Sequence, residues 1–407
     1  MSNVLRLAIV DPNDDSRDNL KSMLLGMDMV WLEAECSRYE FFADVVGQTH
    51  PDIGVVSIDH DADKALVLMQ DLKERSPECS ILVISGSTDG QIILKAMRAG
   101  AKEFLTQPVR MEDLVTAIQR IGRQSQAGGD GRSRSSTVLA VAGATGGVGT
   151  TSLAVNIGCA LAKRPENSVA LIDLDLALGD ADVFLDTIPD YTLVDVAQNI
   201  ARLDFNLLKR SLTKHSSGLY LLPRPIQLQD TKLVTPDDLH RVIGLLKATF
   251  SHLIFDLSKG YNELDMVAMQ AAEHVLLVTQ LDLPCLRNVV RLLMSMDEMD
   301  GLKEKIRVVV NRVGLENGQI SMKKARETIG REIFKQIPND YRVMAEVRNN
   351  GVPLVDGAPR AGLTQAILEL ADALCGGGDS TAEPVSTTGS ANWLNFWPAL
   401  AKARGKA

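Results

Sequence analysis

Residues 140–154 read AVAGATGGVGTTSLA, in which Gly143, Gly146, Gly147 and Gly149 lead into the hydroxyl residues Thr150, Thr151 and Ser152. Glycines let a chain turn successive backbone N–H groups toward one point, and such a nest at a helix N-terminus binds phosphate. The amides from Gly146 through Gly147, Val148, Gly149 and Thr150 to Thr151 are therefore candidate phosphate donors. The usual spacing of a phosphate loop, G-x-x-x-x-G-K-[ST], requires a lysine at position 150, and Thr150 stands there instead. Carboxylates that could serve the same site close two apolar runs: Asp173 and Asp175 in LIDLDLALGDAD, and Asp256 in HLIFDLSKG. Acids at strand ends often do no more than cap the next helix, and Asp173 suits that plainer role.

Bringing these segments together requires a sheet. Before residue 123, the runs LRLAIVD, VWLEAEC, IGVVSID, SILVISG and EFLTQP alternate with amphipathic segments, the order of a doubly wound parallel sheet. After residue 136 the alternation resumes with TVLAVAG, SVALIDLD, LYLLP, HLIFDLS, HVLLVTQ, IRVVVNR and a short strand near IFKQIP. Between them RQSQAGGDGRSRSS is Gly/Ser/Gln-rich and reads as a flexible linker. The expected organisation is a domain over 1–122, a linker over 123–136, a second domain over 137–378 and a disordered tail over 379–407. The fold class is thus α/β, with two doubly wound parallel sheets. In the second, Thr151 follows the end of one strand and Asp256 ends another, and nucleotides bind at the carboxyl ends of strands in such sheets.

Composition narrows the function classes. With 45% hydrophobic and 23% charged residues over 407 positions, the chain is globular and large enough for two cores. A net charge of -9 argues against gripping a nucleic-acid backbone, so no specific nucleic acid is expected as a partner. No apolar run approaches the ~20 residues of a membrane span. The N-terminus has no basic leader, and the five cysteines are scattered without a C-x-x-C, a pattern of the reducing cytoplasm. Lys323, Lys324, Arg326, Arg331 and Lys335 form a local basic excess that reads as a solvated helix face or, alternatively, a docking patch. At the end, Trp393, Phe396, Trp397 and Leu400 have helical spacing broken by Pro398, a docking segment or a frayed terminus.

Residues 4–122, ending in GAKEFLTQPV, resemble a response-regulator receiver whose chemistry has been removed. Where receivers carry an acidic pair, IVDP keeps Asp11 and places Pro12 second. At the phosphoacceptor position of PDIGVVSID stands Ser57, with Asp59 two residues on and, by its place in the turn, unsuited to substitute. Ser85 preserves the hydroxyl position, while Gln107 before Pro108 replaces the lysine. Acyl-phosphate chemistry needs a carboxylate nucleophile, a metal site and a cation. The resemblance therefore implies a binding or dimerisation role with no phosphoacceptor.

VAGATGGVGTTS admits two families. A short-chain dehydrogenase would match Gly143, Gly147 and Gly149, but none of Tyr39, Tyr191, Tyr220, Tyr261 and Tyr341 has the required lysine four residues later. The segment also resembles the deviant Walker A loop of the ParA/MinD superfamily, K-G-G-x-G-K-[ST]-[ST], with Thr145 and Thr150 in place of both lysines. That resemblance places Thr151 and Asp256 at the magnesium, Asp175 at the water-orienting position and Ser152 after the magnesium hydroxyl. It puts Asn311 of VVVNRV against adenine, with IPNDYRVMAEVRNNGVPLV closing over the base. Losing one charge-assisted contact costs about 1.5–3 kcal/mol, on the order of 10- to 150-fold in affinity. Loss of a cation at the transferring phosphoryl group costs roughly 10³–10⁵ in rate. Weak ATP/ADP and magnesium binding with negligible turnover is expected, unless an ammonium group from elsewhere in the chain fills the vacancy at Thr150.

The pairing of a degenerate receiver with a MinD-like domain closely resembles the CpaE/TadZ proteins of Flp (Tad) pilus assembly. It implies a cytoplasmic homodimer that localises the secretion ATPase and other pilus components, commonly at a cell pole. Two alternatives remain open: an active ParA/MinD-type ATPase positioning DNA or protein cargo, and a phosphorylation-driven output protein.

Overall fold

The computed structural model describes residues 5–25, 27, 30–127, 136–200, 205–315 and 320–375. The expected tail at 379–407, its aromatic end included, lies outside them.

Strands β1 (Leu5–Val10), β2 (Val30–Cys36), β3 (Ile53–Ser57), β4 (Ser80–Ser85) and β5 (Ala101–Thr106) form a parallel sheet in the order β2-β1-β3-β4-β5. Alternate residues of β1 serve opposite faces: Leu7 and Ile9 pack into one core, Ala8 and Val10 into the other. With helices covering both faces, the central strands read as unbroken apolar runs. The last helix of this half runs Met111–Ala127, five residues into the segment expected to be linker. Arg123 to Ala127 contain no helix-breaking residue, and the first glycines come at Gly128 and Gly129. Residues 128–135 of the expected linker lie outside the described residues.

The second sheet holds β6 (Thr137–Gly143), β7 (Val169–Asp173), β8 (Thr213–Lys214), β9 (Tyr220–Leu222), β10 (His252–Asp256), β11 (His274–Thr279), β12 (Ile306–Val313) and β13 (Ile333–Pro338). Its order is β13-β12-β11-β6-β10-β7-β9-β8, parallel throughout except for β8 against β9. Every strand expected from the sequence is present, and β8 is an addition. Strand β6 is central, between β10 and β11. Its Leu139 and Val141 face one core while Val138, Ala140 and Ala142 face the other. The helix Thr150–Ala162 that follows is buried continuously from Leu153 to Leu161. Lying between the sheet and the helix Gly362–Cys375, it is apolar on nearly every side.

Candidate functional site

Strand β6 ends at Gly143, where a Cβ would stand 2.9 Å from Thr150 Cγ2 and 3.1 Å from the Thr145 carbonyl oxygen. The chain then turns through Gly147 (φ 79°) and Gly149 (φ 99°), backbone conformations that side-chain-bearing residues rarely adopt. Gly149 is the N-cap of the helix Thr150–Ala162 and supplies no side-chain acceptor, so the first turn's N–H groups carry no side-chain cap. Gly146 and Gly147 are exposed, while Thr150, Thr151 and Ser152 are half-buried. Val148 is buried in the core, which leaves only its backbone for a ligand.

The loop is braced from several sides. Ala144 N donates to the Val278 carbonyl at 2.9 Å, Asn288 Nδ2 to the Ala144 carbonyl at 3.2 Å, and Tyr261 Oη to the Gly143 carbonyl at 2.8 Å. Asn311 Nδ2 donates to the Val148 carbonyl at 2.8 Å, and Asn311 Oδ1 accepts from Arg312 N. A Cβ on Gly149 would stand 2.5 Å from that Asn311 amide. In this structure Asn311 therefore holds the loop's shape, a task the sequence alone did not disclose. Thr145, at the first vacant lysine position, has its hydroxyl 3.4 Å from Cys285 Sγ.

Strands β6, β10 and β7 lie side by side, and Asp256 is in register with Val141 on one side and Asp173 on the other. Asp173 is fully buried. Its oxygens accept from Asp175 N at 3.1 Å and from Ala181 N, the first residue of the helix Ala181–Phe184, at 3.3 Å. That is the capping role its position allowed. Its carboxylate fills the space a side chain at Gly179 would need. Burial, resisted by those two backbone hydrogen bonds, pushes the Asp173 carboxyl up to about 7.

Asp256 is different. It is 1% exposed, and neither carboxylate oxygen has a hydrogen-bond partner in the protein. Burial first and the neighbouring Asp173 second hold its carboxyl well above the ordinary range. The Thr151 hydroxyl opposes part of that rise without completing a hydrogen bond of normal geometry. An orphaned buried carboxylate is a costly arrangement. Beside a threonine hydroxyl and an uncapped helix N-terminus it has the composition of a magnesium–phosphate site, with oxygen donors for a hard cation and amides for the anion. The residues present fit that pair: Thr151 and Asp256 would hold the cation, and the amides from Gly146 to Thr151 the phosphates.

Asp175 lies at the site's edge, its side chain 17% exposed, with Oδ2 3.7 Å from Lys259 Nζ. The sequence reading passed over Lys259, although it stands three residues after Asp256 in HLIFDLSKG. The position relative to Asp256 was the available signal; the fold supplies the rest by placing the Lys259 stem beside Gly146.

In the receiver-like half, Asp11 is buried and accepts from Asn13 N at 2.9 Å. Ser57 at the phosphoacceptor position is buried, and its carbonyl accepts from Tyr39 Oη at 2.6 Å. Gln107 Nε2 reaches Ser16 Oγ at 3.3 Å. Asp59 departs from expectation. Its Oδ1 accepts from Ser85 Oγ at 2.5 Å and its Oδ2 from Gly86 N at 2.7 Å, so it faces the site and occupies the hydroxyl there. Beyond the end of β3 the alternation of faces no longer fixes side-chain direction, which is why the turn misled.

Residues 139–354 match the CobQ/CobB/MinD/ParA nucleotide binding domain, and residues 7–119 match the response regulator receiver domain. The septum site-determining protein MinD of Thermotoga maritima is 30% identical over 223 residues, 53% of this chain and 80% of that protein. The crystal structure of a ParA family ATPase from Chlorobium tepidum superposes with a TM-score of 0.56 at 26% identity, covering 59% of this chain and 98% of that one. MinD from Pyrococcus horikoshii, complexed with Mg-ADP, shares the fold with a TM-score of 0.52 at 24% identity, covering 59% of this chain and 96% of its own.

Proposed function

Since the chain belongs to the CobQ/CobB/MinD/ParA nucleotide-binding family, we propose that its second domain binds magnesium–ATP or –ADP weakly and turns it over negligibly, serving as a localisation scaffold rather than a motor. The observation that carries this is Asp256, buried with both oxygens unpartnered beside Thr151 at an uncapped helix start. A divalent cation bound there would neutralise phosphate charge. The amides from Gly146 to Thr151 would orient the phosphates, Ser152 would stand at the loop's rim, and Asp175 would face the water side. Both positions where the superfamily carries lysine are threonine, Thr145 and Thr150, and that weighs against hydrolysis.

The fusion of this domain to a receiver fold lacking its phosphoacceptor supports a role like that of the CpaE/TadZ proteins. In that reading the receiver-like half recognises a partner or site, and the ATPase-like half pairs with a second copy and engages the secretion ATPase of a Flp (Tad) pilus. The protein works on the cytoplasmic side and is recruited to that machinery, at a pole where the pilus is polar. Among the described residues no helix is long and apolar enough to cross a membrane. Imaging a tagged copy in its host tests the role. Foci that vanish when the pilus secretion genes are deleted are expected. A gradient over the nucleoid, indifferent to those genes, would instead indicate cargo positioning by a ParA-type system.

A further inference from the structure

Building on the nucleotide-binding reading above, we propose that Lys259 supplies the cation missing from the glycine loop, its ammonium leaving Asp175 to pair with a phosphate oxygen of the bound nucleotide. The stem of Lys259 already lies along the loop: its Cδ and Cε are 3.5 and 4.0 Å from where a Cβ on Gly146 would stand. Those are ordinary van der Waals distances, so the lysine stem runs in contact range of the loop at Gly146.

The backbone that carries Lys259 is fixed. Ser258 on one side donates through N to Asp265 Oδ1 at 2.8 Å and through Oγ to Asp265 Oδ2 at 2.5 Å. Gly260 N on the other side donates to Ser258 Oγ at 3.1 Å. Tyr261, at φ 50°, clamps the turn to the end of β6 through the Gly143 carbonyl. Asn262 then caps the helix Glu263–Ala271 in a reciprocal box with Asp265. Asp265 is itself buried, and its oxygens accept from Ser258 and Asn262, so the segment is organised around that carboxylate.

The side chain, by contrast, is free to exchange partners. Its ion pair to Asp175, at 3.7 Å, is loose, and the lysine side chain is 54% exposed. A pair this loose, with its lysine in solvent, shifts equilibria by about fivefold. Its charge also reaches Asp180, so it sits among the acids Asp175 and Asp180 that act on Asp173 and Asp256. A nucleotide polyphosphate entering that acidic rim needs a positive partner, and a charge-assisted bond to phosphate outweighs a loose surface pair. Exchange from Asp175 to phosphate would also release Asp175, so nucleotide binding would free the carboxylate at the water-orienting position. Because Lys259 approaches past Gly146 rather than from residue 150, it supports binding without rebuilding the lysine-bearing loop.

The test is calorimetric titration of the full chain with magnesium–ATP and magnesium–ADP at low salt, comparing the unaltered protein with Lys259→Gln, Lys259→Arg, Thr150→Lys and the double variant Lys259→Gln/Thr150→Lys. Lys259→Gln is expected to weaken binding on the order of 10- to 150-fold, Lys259→Arg to retain it within a few-fold, and Thr150→Lys to restore it in the Lys259→Gln background. Equal affinity for Lys259→Gln and the unaltered protein would overturn the inference and leave the nucleotide site standing. Binding by Thr150→Lys but not by the unaltered protein would do the same. No binding by either would bring down the nucleotide reading itself. Melting without nucleotide should be unchanged in Lys259→Gln. A loss there that Thr150→Lys does not repair would make the residue's role structural and would equally overturn the proposal.

Discussion

The receiver-like site carries Ser57 and Gln107, and the glycine-loop site Thr145 and Thr150, at the positions where the resemblances lead one to expect charged side chains, yet the polar groups around them are arranged in opposite ways. In the first, Asp59 is held by Ser85 and Gly86, Asp11 by Asn13, and Gln107 by Ser16. In the second, Asp256 is buried with both oxygens open, and the helix start facing it has no side-chain cap. A buried carboxylate without a partner is costly. In the receiver half these polar groups close their hydrogen bonds on one another. At the glycine loop, Asp256 keeps both oxygens open beside a helix start that a magnesium-bound phosphate would complete.

The largest effect expected from this contrast is on rate. With threonine at both lysine positions, turnover should fall roughly 10³–10⁵ below that of a lysine-bearing loop. A phosphate-release assay on the unaltered chain should therefore match that of Asp256→Ala. Robust activity lost on Asp256→Ala would contradict the contrast.

Stability comes next. In the metal-free protein the carboxyls of Asp173 (about 7) and Asp256 are raised by burial. A carboxyl raised on folding contributes stability that is fully present below its unfolded value and is lost as pH rises through its folded value. With EDTA present, the melting temperature of the second domain should therefore decline from about pH 4 upward, the Asp173 share going as pH passes about 7. Asp256→Asn removes one of these buried acids. It should flatten the decline and stabilise the metal-free protein at pH 8 by about 1–3 kcal/mol, while abolishing any stabilisation by magnesium. Destabilisation at pH 8 would mean that the carboxylate is already satisfied.

The smallest effect belongs to the closed site. Asp59→Ala removes acceptors for Ser85 and Gly86 and should cost about 1 kcal/mol, read as an earlier first transition in urea. Treating the same chain with a small phosphodonor should give no acyl-phosphate by intact mass, with or without that substitution.

The two halves also differ in how far they could be read from sequence. TVLAVAG and HLIFDLS were legible because central parallel strands are apolar on both faces, and the glycine loop because its backbone demands glycine at Gly147 and Gly149. The two-residue β8 was not, since Thr213 and Lys214 carry no periodicity and pair at an antiparallel edge. The helix ending at Ala127 was hidden by a Gln/Ser composition that suits helix and linker alike. The in-register pairing of Asp256 with Asp173 was not legible, because strand order and register depend on the whole sheet. Lys259 and Asn311 were missed as loop contacts for a related reason: each meets the glycine loop from a different strand end, and no local pattern records such a meeting.

The most direct measurement is the affinity of the full chain for magnesium–ATP by isothermal titration, set against Thr150→Lys. Measurable but weak binding, tightened further when a second cation is supplied at position 150, is the predicted result. No heat from either protein would contradict the claim that Asp256 and the uncapped helix await a magnesium-bound phosphate.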